Sequence, residues 1–134
     1  MKLSHTVIYV DDVPAAIEFY ERAFSLKRRF IHESGQYGEM DTGSTTLAFT
    51  GRKLANSLVP CGFRANHPSH EPVGMQISFE PDGDVLSAFA KATAAGASVV
   101  TEPEHKPWGW ISAMVRDRDG TLVELAQRVK EQIQ

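Results

Sequence analysis

The sequence predicts an α+β protein made of two copies of one βαβββ module. Two segments of the chain read strand, helix, strand, strand, strand in the same order, residues 3–50 and 73–127. Between them, residues 51–72 hold the breakers Pro60, Gly62, Asn66, Pro68, Ser69 and Pro72. Each segment also places a tight polar turn before its last strand, at Gly43-Ser44 and at Asp119-Gly120. A doubled unit constrains the fold, because neither half can bury its sheet face alone.

The elements follow in order. Thr6 to Val10 is a β-branched and aromatic run and reads as a strand. Asp12 before Val13-Pro14 is a helix start, since the carboxylate caps free N–H groups and proline tolerates the first turn. Val13, Ile17, Tyr20 and Phe24 then recur at helical spacing as one apolar stripe. Arg28 to His32 reads as a strand, Gly35 to Gly38 as a turn, and Glu39 to Thr42 and Thr45 to Thr50 as two strands. Arg52 to Leu58 suits a short helix before the breakers. Met75 to Phe79 opens the second half. Asp84 caps a helix with Val85, Phe89 and Ala92 on one face, and Gly96 closes it as a left-handed cap. Ala97 to Val100 reads as a strand, Glu102 to Gly109 as a loop, and Ile111 to Val115 and Thr121 to Leu125 as the closing hairpin. The polar stretch from Arg128 to Gln134 is expected to fray.

The bulk composition narrows the function. A chain of 134 residues with 42% hydrophobic and 23% charged residues suits one globular domain, not a disordered one. Fourteen Lys and Arg against 17 Asp and Glu give a net charge of −3, so nothing suggests a grip on nucleic acid. Lys27, Arg28 and Arg29, just after the first helix, complement its C-terminal dipole. Cys61 is the only cysteine, so no intrachain disulfide can form. No signal peptide is legible, and no apolar run approaches the roughly 20 residues of a membrane helix. A soluble, cytoplasmic protein with no membrane or nucleic-acid partner is expected.

The doubling places matching positions across an approximate two-fold axis. His5 then partners Gln76, and Ala48 partners Glu124. Glu124 sits centrally in the last strand, with Val123 and Leu125 on the opposite face. A carboxylate there needs a partner, a cation or a cavity; Arg116 and Arg118 are the obvious structural partners.

The opening His5-Thr6-Val7-Ile8-Tyr9-Val10-Asp11-Asp12-Val13, with Phe19-Tyr20 after it, resembles the vicinal oxygen chelate superfamily of glyoxalases, bleomycin-resistance proteins and extradiol dioxygenases. So do Lys106-Pro107-Trp108-Gly109 and the stretch from Val115 to Leu125 with its Asp-x-Asp-Gly-x-x-x-Glu pattern. The resemblance runs from about residue 3 to residue 127. It implies a curved mixed sheet whose cleft carries up to four metal-ligand places. Here those places hold His5, Ala48, Gln76 and Glu124. Ala48 cannot ligate, which argues against ordinary lactoylglutathione lyase activity. His5, Gln76 and Glu124 remain as a nitrogen and oxygen set suited to Fe(II), Mn(II), Ni(II) or Zn(II), with Glu124 alternatively a general base. The resemblance also implies a homodimer whose cleft draws modules from both chains.

Two function classes follow. One is a metal-dependent lyase, isomerase or dioxygenase acting on a small molecule with vicinal oxygens. The other is a metal-free protein that sequesters an aromatic drug or metabolite, as bleomycin-resistance-like members do. Trp108 and Trp110 offer a flat wall for such a ligand, with Phe49 and Ala48 beside it. Phe30, Met40, Phe63, Met75 and Met114 are further lining candidates, each equally suited to core packing. His67 and His70 form a His-x-x-His pair, but Pro68 and Pro72 oppose the helix that would make it chelate. Cys61 has no adjacent base and reads as packing or incidental rather than nucleophilic.

Overall fold

The computed structural model describes residues 1–129. The module order emerges directly: β1 (His5–Val10), α1 (Val13–Phe24), β2 (Lys27–Ile31), β3 (Tyr37–Asp41) and β4 (Thr46–Gly51), then α2 (Arg52–Leu58), then β5 (Gln76–Phe79), α3 (Val85–Ala94), β6 (Ser98–His105), β7 (Trp110–Arg116) and β8 (Leu122–Arg128). Each module makes its own four-stranded sheet, in the order β1-β4-β3-β2 and β5-β8-β7-β6. The first and last strands of each module pair in parallel and the other pairs are antiparallel, so both sheets are mixed.

Local chemistry explains the helices. Asp12 caps α1 by accepting from the Ala15 N–H at 3.0 Å, and Asp84 caps α3 by accepting from the Ser87 N–H at 2.7 Å. Gly96 follows α3 at a φ of 112°, in the left-handed region. The two helices pack on each other, and each covers its own sheet. Ile17, Tyr20, Phe49, Val85, Val115 and Val123 bury fully in a core shared by both modules. A hydrogen bond links the modules inside it: the Tyr20 hydroxyl donates to Asp117 at 2.6 Å. Burial, followed by the neighbouring Asp117 charge, drives the Tyr20 phenol well above its ordinary pKa.

Three expectations need correction. The loop assigned to residues 102–109 is strand as far as His105, because β6 follows β7 through two register shifts and its position at the sheet edge tolerates Pro103. Strand β8 runs on to Arg128, paired with Trp110, where fraying was expected; residues 130–134 lie outside the described part. The basic trio lies in β2, and two of the three pair individually, Arg28 with Glu21 and Arg29 with Glu39, beyond simply complementing a helix dipole.

Candidate functional site

The two-residue period of β1 points Ile8 and Val10 at the helices and turns His5, Val7 and Tyr9 to the outer face. Parallel pairing sets Val7 beside Ala48, and Glu39 of β3 opposes Ala48 from the other side. Ala48 contributes only a methyl group there, and its neighbour Glu39 carries the polar contacts. Its Oε2 lies 3.4 Å from His5 Nε2 and accepts from the Tyr37 hydroxyl at 2.6 Å. Its Oε1 accepts from Arg29 Nη1 at 3.2 Å, and that nitrogen also donates to Thr46 at 3.0 Å. The Glu39 side chain is 12% exposed and that of His5 42%, so the imidazole is the accessible end of the cluster. The bond from Tyr37, then those from Arg29 and the His5 charge, hold Glu39 below the usual carboxylate range against its burial. Burial and the bond to Glu39 push the Tyr37 phenol up to about 12, so it stays a neutral donor. On its far side the His5 ring presents Nδ1 to the Ser4 hydroxyl at 2.9 Å.

The second sheet arranges its outer face differently. Ser78 of β5 and Met114 of β7 flank Glu124. Glu124 Oε1 accepts from Ser78 at 2.8 Å and from the Gln76 amide at 3.3 Å, and Oε2 accepts from Ser112 at 2.8 Å. Arg116, expected as a structural partner, instead donates to the carbonyls of Gly120, His67 and Pro68, and Arg118 lies 3.9 Å from Asp119. Over Glu124 opens a cavity of about 340 Å³ walled by Trp108, Trp110, Phe79 and Ala126. Trp108 is 70% exposed, and the Arg128 guanidinium sits 5.9 Å from the Trp110 ring centre.

The structure therefore joins Gln76 to Glu124 and joins His5 to Glu39. Among the described residues no hydrogen bond or ion pair links the two clusters, and no group of three or more His, Cys, Asp and Glu side chains is placed to hold a metal. Phe49, expected at the substrate wall, points to the core and packs on Tyr20 at 5.0 Å between ring centres, because β4 turns its odd-numbered residues to the helices. Met40 is likewise core. Ala48 does lie on the outer face, fully buried beside Glu39 of the neighbouring strand. Phe63 packs edge-on against Tyr9, whereas Met75 is 69% exposed. The rings of His67 and His70 lie 4.9 Å apart, tilted by 36°, and Cys61 is exposed, so of packing and incidental it is the latter. Sequence reasoning passed over Glu39. The signal was present in the alternation of Tyr37, Glu39 and Asp41 on one face of β3, but its closeness to His5 depends on two strand pairings that the sequence does not state.

The model of the Glyoxalase/Bleomycin resistance protein/Dioxygenase superfamily matches residues 2–125. The chain belongs to that superfamily. An uncharacterised protein of Mycobacterium bovis is 32% identical over 130 residues, covering 92% of this chain and 82% of the relative. Among solved structures, a glyoxalase-related enzyme from Fulvimarina pelagi superposes with a TM-score of 0.81 at 18% identity, covering 94% of this chain and 87% of that one. A lactoylglutathione lyase from Agrobacterium tumefaciens does so with a TM-score of 0.68 at 21% identity, covering 93% and 92%. These two share the superfamily fold with this chain.

Superfamily membership brings a divalent metal into view, and the donors present do not fit a resident one within a single chain. A cation needs lone pairs turned towards it. Around Glu124 two hydroxyls and an amide N–H converge instead, and they satisfy the carboxylate. Beside His5 the positive Arg29 already neutralises Glu39, and Ala48 supplies no donor.

Proposed function

We propose that this superfamily member binds a planar aromatic small molecule without a resident metal, and that two copies bring their outer faces together around it. The observation that carries this reading is the tryptophan-walled cavity over a carboxylate already satisfied by three protein donors. Its volume falls in the range of small-molecule sites, roughly 300–1,000 Å³. Indole faces stack on flat rings, while Ser78, Ser112 and Glu124 offer polar groups that fix orientation. The outer faces also expose apolar side chains that a monomer would leave in water: Val7 at 42% and Phe30 at 41% in the first module and Trp108 at 70% in the second. A homodimer that sets the first sheet of one copy against the second sheet of its partner would cover them.

Calorimetric titration with metal-free bleomycin and with 2-naphthol, in chelator-containing buffer, tests the reading. Saturable binding is expected, weakened about tenfold by Trp108→Ala, as loss of one stacked ring predicts. Stoichiometric metal that persists through purification without chelator, and whose removal abolishes binding, would overturn it. That result would favour the metal-dependent lyase, isomerase or dioxygenase reading of His5, Gln76 and Glu124.

A further inference from the structure

The two modules carry one outer-face carboxylate each at mid-sheet, but on different strands. In the second module Glu124 lies on the last strand and the adjacent strand presents Met114. In the first module the last strand presents Ala48 and the adjacent strand presents Glu39. The charge has moved one strand across, and in doing so has come within 3.4 Å of His5. Nothing about the core requires a carboxylate there, since Met40, its sequence neighbour, faces the helices and Glu39 does not. Yet Glu39 is held on three sides, by Tyr37, Arg29 and His5. That is more fixation than an incidental surface glutamate receives.

We propose that Glu39 is a positioning residue: from β3, beside Ala48, it orients the His5 ring for ligand recognition. An imidazole nitrogen that faces a carboxylate carries the proton, which leaves the other nitrogen as an acceptor. At 3.4 Å Glu39 meets His5 as a charge contact rather than an aligned hydrogen bond, and its negative charge favours the tautomer with the proton on the nearer nitrogen, Nε2. Nδ1 then faces outward, where among the described residues the exposed Ser4 hydroxyl meets it. An incoming ligand that displaces Ser4 finds a hydrogen-bond acceptor, so the site favours planar molecules bearing an O–H or N–H donor over the same ring without one. This ligand preference rests on the binding function proposed above; the orientation of His5 does not.

Two arms test the inference on the full-length chain. Long-range ¹H–¹⁵N correlation spectra at pH 8, with His5 assigned from a His5→Ala variant, report the tautomer. The wild type should show the Nε2–H form, Glu39→Gln should lose that preference, and the Glu39→Ala/Ala48→Glu double variant should regain it by returning the carboxylate to the neighbouring strand. Glu39→Asp, which keeps the charge, serves where the double variant does not fold. Unchanged His5 ring signals in Glu39→Gln would overturn the inference. In the second arm, 2-naphthol is compared by calorimetry with 2-methoxynaphthalene, which has the same ring but no donor. The wild type should favour naphthol by about tenfold, the worth of one hydrogen bond, and Glu39→Gln should erase most of that gap. A gap that survives unchanged in Glu39→Gln also overturns the proposal. If the wild type binds neither probe, the binding function fails, and the spectra still decide the role of Glu39.

Discussion

The two modules share one backbone plan and differ in what occupies equivalent places. Asp41 ends β3 in the first module and is 62% exposed, in loose contact with Arg29 at 3.6 Å. In the second module Asp117, just past β7 and one residue beyond the position that matches Asp41, is 3% exposed and accepts from Tyr20 and from the N–H groups of Asp119 and Thr121. Likewise Gly43 turns in open space, whereas Gly120 turns beneath the linker backbone at His67. Duplication has kept the pattern that faces the core and freed the outer faces and turns to diverge. The second module has become the one that anchors: its hairpin ties down both the first helix, through Tyr20, and the linker, through Arg116.

The largest test of that asymmetry is Asp117→Ala against Asp41→Ala. Removing Asp117 strands a buried phenol and two backbone donors and should cost about 4 kcal/mol in urea unfolding. Removing Asp41 should cost within about 0.5 kcal/mol, as for an exposed ion pair. Equal costs would mean that the hairpin is not an anchor. Next comes Gly120→Ala against Gly43→Ala. Both glycines have positive φ, 93° and 88°, but a Cβ on Gly120 would meet His67 backbone atoms at 2.8 and 2.9 Å, while one on Gly43 meets nothing within 4 Å. We expect losses of about 3 and about 1 kcal/mol, the smaller being the left-handed penalty alone.

The smallest effect concerns pH. Burial, and then the Asp117 charge, raise the Asp119 carboxyl from 3.8 to about 6. Its folded pKa exceeds its unfolded one, so the folded state holds this proton more tightly. The resulting stability is present below pH 3.8 and disappears as pH rises to about 6. Asp119→Asn should therefore be more stable than wild type above pH 6, by about 1 kcal/mol once solvent screening is allowed for, with the advantage gone in acid. Glu39, whose pKa is lowered, has the opposite sign: Glu39→Gln should forfeit stability near neutrality and match the wild type again in acid. Thermal melts across pH check both. Parallel pH profiles for the two variants would contradict the contrast between the carboxylates.

Much of this was legible beforehand because strands and helices announce themselves locally. Val13, Ile17 and Tyr20 mark a helix face by spacing, and Asp12 and Asp84 mark helix starts by capping chemistry. The register relation also held: His5 opens β1 as Gln76 opens β5, and Ala48 and Glu124 sit two rungs further along in their partner strands. Phe49 was misplaced because a uniformly buried strand such as β4 hides which of its faces meets the helices. The partners of Glu124 were misjudged because charge suggested arginine, whereas Ser78 and Ser112 reach it from strands far apart in sequence.

Neighbouring residues alone were enough to specify the two βαβββ modules, the positions of their turns and the superfamily, since alternation, capping and glycine turns are local properties. That His5 meets Glu39, that Gln76 and two serines satisfy Glu124, and that Asp117 accepts from the hydroxyl of Tyr20 became visible in the folded chain. Those partners are brought together by strand register and helix packing between residues 12 to 97 positions apart along the chain, and no local pattern encodes which side chains will face one another across such distances.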